Sequence, residues 1–363
     1  MVTEKDFIKG LTDELLSVDH FSRKDVFDTF SKYIDNKTIL QKCIDIGDLH
    51  FDYVKYHTIF QGTLFEDGIL EIVKLAKQAF QASPTETARV LTESYVGIAS
   101  GLAHYTQTLW GSSWTIDDNR PDVFVKTAFT RIGDMIENSL KSYLFMINEF
   151  RCIVSGSVPN QKKLGTVVDV IMNMNPVFKS LYSDLLLGIT VSQWRNISDH
   201  GDYKYTPEGV EVEYGPDNNR KKKTISHDEL GCLLVTIDNL LYMNKMARTL
   251  LSIEYYGHYS TEAGIREKSS YTHKDDQMMQ IVETSYAYGF VVTKLSRNTQ
   301  PYKIELDQKF GPVSRKELEG YLRVMSSIIE DDFSYLIYRK GKVEYTANLI
   351  DRKLIIMKYI VKS

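Results

Sequence analysis

The sequence predicts a mainly α protein: a helical bundle with an inserted β-hairpin, an N-terminal helical region before it and a small α+β domain after it. Three observations carry that expectation. Apolar residues recur at three- and four-residue steps over most of the chain up to Leu251, which is the helical period. One stretch, Tyr203 to Ile225, alternates with period two instead. From about Thr284 the texture shifts to short β-branched and aromatic runs around a single helical segment. A length of 363 residues suggests two or three domains, and 43% hydrophobic with 25% charged residues is the balance of a folded chain. The expected domains are 1–120 (helical), 121–260 (bundle) and 281–363 (α+β).

Taken in order, residues 4–45 read as two short amphipathic helices broken near Asp19-His20. Ser22 is placed to cap the second, with Asp25 where a capping box has its acid. Residues 52–64 are aromatic and open between helix and strand. Helical patterns follow near 66–82 and 85–109, the latter after Ser83-Pro84. Trp110 to Pro121 is rich in Gly, Ser, Asp and Asn and ends in proline, so a boundary is expected there. Phe129, Ile132, Ile136, Leu140, Leu144 and Ile147 mark one face of a long helix that a loop at Gly156 to Pro159 ends. Pro176 starts another helix, expected to run to about Trp194.

In the alternating stretch Val210, Val212 and Tyr214 point one way and Glu211 and Glu213 the other, with Gly215 to Asn219 as the turn. Ser226 and Glu229 form a capping box ahead of a helix carrying Leu230, Leu233, Ile237, Leu240, Leu241 and Leu251. Beyond it, Ala287–Lys294, Tyr302–Leu306, Phe333–Tyr338, Val343–Ala347 and Leu354–Val361 read as strands and Ser314–Ile329 as a helix.

A net charge of -4 argues against a globally basic nucleic-acid binder, although RNA contacts need only a local basic patch. Cys43, Cys152 and Cys232 are few, odd in number and far apart, so they read as small core residues and not as a disulfide or zinc framework. The polar start of the chain reads as lacking a secretory leader, and the longest apolar runs fall short of the roughly 20 residues that span a bilayer. A cytoplasmic protein without membrane contact is therefore expected. His258 with Glu262 and His273 with Asp276 have helical spacing but lack further ligands, so neither metal nor cofactor is expected. The chain has no phosphate-binding glycine loop and no serine nucleophile elbow.

The chemistry-bearing segment is Arg195-Asn196-Ile197-Ser198-Asp199-His200, where a helix gives way to a Gly-Asp-Tyr turn. Such a junction can turn both Arg195 and His200 to one cleft, with the histidine released from the helical ladder. A histidine of ordinary pKa near ~6.5 can take a proton from a ribose 2′-OH at neutral pH. A guanidinium carries a permanent planar charge that holds a phosphate oxygen and stabilises a dianionic transition state. Asn196 can orient either group.

The stretch Ser192 to Tyr203 resembles the signature of the HEPN superfamily: arginine, a polar residue that is often asparagine, a few variable residues, then histidine. Arg131 to Lys141 and Leu164 to Val168 also look like that superfamily's bundle, and the hairpin followed by a long helix is similar to its abortive-infection members. The resemblance covers about residues 121–257. It implies a metal-independent endoribonuclease that leaves a 2′,3′-cyclic phosphate and a 5′-hydroxyl, in a toxin or antiviral-defence setting. It implies a homodimer whose two Arg/His sets line one composite cleft, with RNA as substrate and a regulatory protein or antitoxin as a further partner. Arg195, His200 and Asn196 match the catalytic positions. Tyr203 is carried over as a substrate contact and Glu137 as a helix acid, the alternative for Glu137 being an ordinary pair with Lys141 one turn on.

Lys221, Lys222 and Lys223, with Arg220, form the only dense basic run, which either grips RNA phosphates or is a solvated hairpin. Trp194 reads as a core anchor and His227 as a helix-start residue. Two further functional readings stand beside the nuclease: a non-catalytic HEPN module for dimerisation or for binding nucleotide or protein, and an effector role for residues 281–363 on a helical scaffold.

Overall fold

A computed structural model describes residues 9, 12–13, 16, 21–45, 49–111, 120–158, 163–206, 208–259, 281–282, 284–286, 288–296, 302–308, 315–328, 333–339, 342–350 and 353–358. Its contacts divide the chain into two units, one made of residues 1–58 with 269–363 and the other of residues 59–268. The fold is mostly helical, with two small sheets.

In the first unit α1 (Arg23–Phe30) is opened by the capping box that its sequence predicts: Asp25 N donates to Ser22 Oγ at 3.3 Å, and Ser22 N to Asp25 Oδ2 at 2.7 Å. The helix stops at Ser31, so the second expected helix is two, α1 and α2 (Lys37–Asp45). The ambiguous stretch is helical, as α3 (His50–Lys55) running on into a π-helical turn, Tyr56–Phe60. Burial of Phe51, Val54 and Tyr56 decides this, since side-chain packing outweighs the β preference of aromatic residues.

The second unit contains α4 (Leu64–Ala82), α5 (Pro84–Gly111), α6 (Pro121–Asp134), α7 (Lys141–Ser155), α8 (Leu164–Met172), α9 (Pro176–Tyr182), α10 (Val191–His200), β1 (Tyr203–Thr206), β2 (Gly209–Tyr214), β3 (Lys221–Ile225), α11 (His227–Glu254) and α12 (Tyr256–Tyr259). Both bonds of the Ser226/Glu229 capping box are present at the start of α11. α11 packs on α4, α6 and the turn that follows α6, and it buries apolar residues around much of its circumference, as a central helix must. Two of its buried polar side chains are tied to neighbouring helices: Tyr182 OH donates to Asn244 Oδ1 at 3.1 Å and Arg248 to the Leu91 carbonyl at 3.0 Å.

Four expectations are corrected here. The boundary at 110–121 does not separate domains, because α4 and α5 pack on α7 within the same unit as the site. Glycine- and serine-rich composition marks a loop, and a loop need not divide a core. The long helix marked by Phe129 to Ile147 is interrupted by a π turn, Met135–Leu140, which joins α6 to α7 and seats Ser139 Oγ on the Gly101 carbonyl at 2.7 Å. The helix from Pro176 to Trp194 is broken into α9, a 3-10 turn at Asp184–Leu186 and α10; Leu187 (φ 60°) and Gly188 (φ 74°) take the left-handed conformation between them. The hairpin is a three-stranded antiparallel sheet in the order β1-β2-β3, with Tyr203 opposite Val212 and Val210 opposite Ile225.

In the first unit, the strands and helix expected for the C-terminal region are present, but they share a unit with residues 1–58 and so do not stand as a domain of their own. They are β4 (Val291–Ser296), β5 (Tyr302–Asp307), α13 (Arg315–Ile328), β6 (Phe333–Arg339), β7 (Lys342–Ile350) and β8 (Lys353–Lys358). The sheet order is β4-β5-β6-β7-β8, antiparallel except for β5 and β6, which α13 connects as a crossover. The strand expected from Ala287 starts at Val291, after helical residues at 281–282 and 284–286. Of the cysteines Cys152 is buried as expected, Cys43 is half-buried, and Cys232 is exposed on α11 and so is not a core residue. Among the described residues no helix is long and apolar enough to cross a membrane.

Candidate functional site

α10 carries the motif, and its apolar side fixes where the polar groups go. Trp194 is fully buried and donates its Nε1 to the Leu186 carbonyl at 2.9 Å; Val191 and Ile197 are buried with it. These anchors press α10 onto α6, as expected for Trp194. The approach is close: a Cβ on Gly133 of α6 would lie 3.1 Å from both Ser198 Cβ and Asp199 Oδ1. His200 is the last helical residue, and Gly201 takes the left-handed cap at φ 68°. The histidine is thus still inside the helix, not released from its ladder as expected. The glycine, which has no Cβ to clash, accommodates the turn instead.

At 100° per residue, Arg195 and His200 are roughly 140° apart around the axis of a regular helix. Arg195 turns toward the π turn. Its Nε lies 2.9 Å from Glu137 Oε2 and 2.9 Å from Asp199 Oδ2, and a terminal nitrogen donates to Asn196 Oδ1 at 3.2 Å. Glu137 is also bonded to Lys141, the ordinary helix pair weighed for this acid, and so holds two cations at once. Burial pushes the Glu137 carboxyl up, but Lys141 and Arg195 outweigh it and hold the group below the usual glutamate value.

His200 faces elsewhere. An open cleft of about 210 Å³ is lined by Gln193, Asn196, Ile197 and His200 of α10, by Asp202, and by Glu213 to Gly215 with Arg220 around the β2–β3 turn. Gln193, Asn196, Ile197 and His200 follow i, i+3, i+4, i+7 spacing, which is one helix face. Arg195 is not part of that lining, so the two motif residues do not share this cleft. Arg220 is tied to Asp202 at 3.0 Å, and the Glu213 amide donates to the Asp202 carbonyl at 2.9 Å, which fastens the sheet to the end of α10.

The other expected contacts are placed as follows. Tyr203 is half-buried and stacks one face of its ring on Phe129, with centroids 4.0 Å apart. Lys222 pairs with Glu211 at 3.0 Å and Glu213 at 2.7 Å, and Lys223 donates to the Leu187 carbonyl at 2.7 Å. Those two lysines hold the sheet to acids and to the bundle; Lys221 is exposed on β3. His227 stacks on Tyr205, and its Nε2 is buried. Among the described residues no group of three or more His, Cys, Asp or Glu is placed to hold a metal; Glu262, His273 and Asp276 lie outside the described residues.

Sequence reasoning missed Gln193, Asp202, Glu213 and Tyr214 as cleft residues. The helical spacing from His200 back to Gln193 was the available signal for the first. The others depend on the sheet folding back over the helix end, for which no local pattern exists. Comparison with known proteins finds no matching family model, no similar curated protein and no similar solved structure.

Proposed function

We propose that this chain is a metal-independent endoribonuclease of the HEPN type that works as a pair of chains. The observation that carries the reading is the cleft at the end of α10, where an exposed imidazole stands beside amide side chains and a guanidinium. His200 takes the proton of a ribose 2′-OH, the 2′ oxygen attacks the adjacent phosphorus, and the P–O5′ bond breaks, the leaving oxygen taking a proton from water, to which His200 then returns its own. The products are a 2′,3′-cyclic phosphate and a 5′-hydroxyl. Asn196, which both lines the cleft and accepts from Arg195, orients the two groups. Because Arg195 leaves α10 on another face, it serves the site across the pair, where its charge offsets that of the phosphorane. The toxin or antiviral-defence setting, with a regulatory partner, rests on the resemblance alone.

One observation favours the non-catalytic module instead: Arg195 is held by two carboxylates, as a structural ion pair would be. Incubating the protein with total RNA, with and without EDTA, beside Arg195→Ala and His200→Ala, separates the two. Cleavage that survives EDTA and is lost in both variants is expected. Cleavage that persists in His200→Ala refutes the nuclease reading. Intact RNA with dimers by light scattering transfers the assignment to the module.

A further inference from the structure

We infer that Gln193 and Glu213 read a nucleobase in the His200 cleft and select one whose Watson–Crick edge sets an exocyclic amine beside a ring acceptor nitrogen, adenine or cytosine. The inference deepens the ribonuclease reading and rests on it for the identity of the ligand as single-stranded RNA. The choice of base over phosphate comes from the polar groups of the cleft itself.

The cleft is poorly built for a phosphate. Two carboxylates line it, Asp202 and Glu213, against one guanidinium, Arg220, which is itself bonded to Asp202 at 3.0 Å. The hydrogen bond from Lys222, at 2.7 Å, holds the Glu213 carboxyl below the usual glutamate value, with a smaller contribution from Arg220. At neutral pH Glu213 is therefore ionised and can only accept. Acceptors in a cleft suit a ligand that donates. The exocyclic amines of adenine and cytosine donate in the plane of the ring, whereas uracil presents a carbonyl oxygen at the same place and is repelled there.

Gln193 supplies the complementary group. Its carboxamide lines the cleft and has no hydrogen-bond partner among the described residues. A carboxamide holds an acceptor and a donor side by side, so it meets an amine and the neighbouring ring nitrogen together, the bidentate pairing of glutamine with adenine. The backbone beneath it is pinned: Ser192 and Trp194 on either side are buried, and the Gln193 amide donates to the Thr190 carbonyl at 2.9 Å. Gln193 and His200 share one face of α10 with Asn196 between them, separated by about 10 Å along the helix axis. A nucleoside laid along that face has its base edge at Gln193 and its ribose at His200. Size agrees. At about 210 Å³ the cleft is smaller than the ~300–1,000 Å³ of pockets that enclose whole drug-sized ligands, so it takes one base and leaves the phosphates at its mouth.

The test uses the full chain with His200→Ala, so that RNA is not consumed, and fluorescently labelled oligomers of A, C or U read by anisotropy across a sodium chloride series. Oligo-A or oligo-C is expected to bind about tenfold more tightly than oligo-U, the discrimination of one bidentate base contact, and the tighter of the two identifies the base. Gln193→Met is expected to weaken that oligomer about tenfold without changing the salt slope, because no phosphate contact is lost. Glu213→Gln, which gives the cleft a donor, is expected to close the gap to oligo-U, a relative gain that a folding defect does not produce. Glu211→Gln removes an acid from the same strand and the same Lys222 pairing but outside the cleft, and as the control should shift all three oligomers alike. The inference is overturned if oligo-U binds as tightly as both other oligomers, if Glu213→Gln changes the preference no more than Glu211→Gln does, if Gln193→Met leaves affinity unchanged or lowers the salt slope as a lost phosphate contact would, or if the protein binds no RNA. Cleavage by the chain with native His200 is read separately. Cleavage without preference for the base on the 5′ side of the cut removes the inference and leaves the nuclease, whereas a base preference in binding that depends on Gln193, without any cleavage, removes the nuclease and leaves the inference.

Discussion

Replacing Gly101 by alanine should destabilise the protein, although alanine is the better helix former. In an exposed helix interior the change is worth about 1 kcal/mol in favour of alanine. Gly101 sits inside α5 where that helix crosses the π turn, and a Cβ there would lie 2.3 Å from the Asn138 carbonyl oxygen and 2.9 Å from Ser139 Cα. Both are backbone atoms, so no rotamer change relieves the contact; the helices must separate by something near an ångström. Overpacking of this kind costs about 1–3 kcal/mol. Separation also strains the bond from Ser139 Oγ to the Gly101 carbonyl, worth about 1 kcal/mol. The net expectation is a loss of about 1–3 kcal/mol, and for a folding unit of this size each kcal/mol moves the melting temperature by ~2–4 °C.

Gly231→Ala is the matched comparison. Gly231 lies inside α11 and a Cβ there meets nothing within 4 Å, so the propensity gain stands alone and stability should rise by about 0.5–1 kcal/mol. Thermal and urea denaturation of the two variants should thus move in opposite directions from the parent. If Gly101→Ala stabilises as Gly231→Ala does, α5 does not lie against the π turn. The finding that α4 and α5 share a core with the site helix then fails.

Two further outcomes follow from the site. Trp194→Phe removes the indole donor to the Leu186 carbonyl and leaves a gap where the ring is fully buried, so unfolding should become easier by about 1–3 kcal/mol in urea titrations; an unchanged midpoint would mean that α10 is not anchored by this residue. The Glu137 carboxyl lies below its usual value in the folded chain, so its contribution is present above the unfolded value of about 4.3 and is lost as pH falls through the lower folded value. Glu137→Gln should therefore flatten the acid limb of stability below that pH, and an acid limb of unchanged slope would show that the ties to Lys141 and Arg195 contribute nothing.

Much of the fold was legible because the signals are local. Ser22 with Asp25 and Ser226 with Glu229 satisfy helix-end amides three residues away, and the spacing alone reveals them. The alternation of Val210, Val212 and Tyr214 is a property of one strand, and the mixed pattern after Thr284 announced strands around one helix. The breaks were less legible: a π turn at Met135–Leu140 leaves the apolar spacing almost intact, and the left-handed Leu187 is a residue type that seldom adopts that conformation.

The candidate site divides along the same line. The sequence by itself determined that an arginine, an asparagine and a histidine stand at the end of one amphipathic helix, because residue identity and helical period are written in the chain. Tertiary structure alone decided where each one faces. Whether the helix stops before or after His200 sets the angle between the guanidinium and the imidazole. Glu137 comes within reach of Arg195 across 58 positions, and Arg220 comes to the His200 cleft through a strand turn. Those encounters depend on how helices and sheet pack over one another, and packing between distant segments leaves no periodic trace in the order of residues.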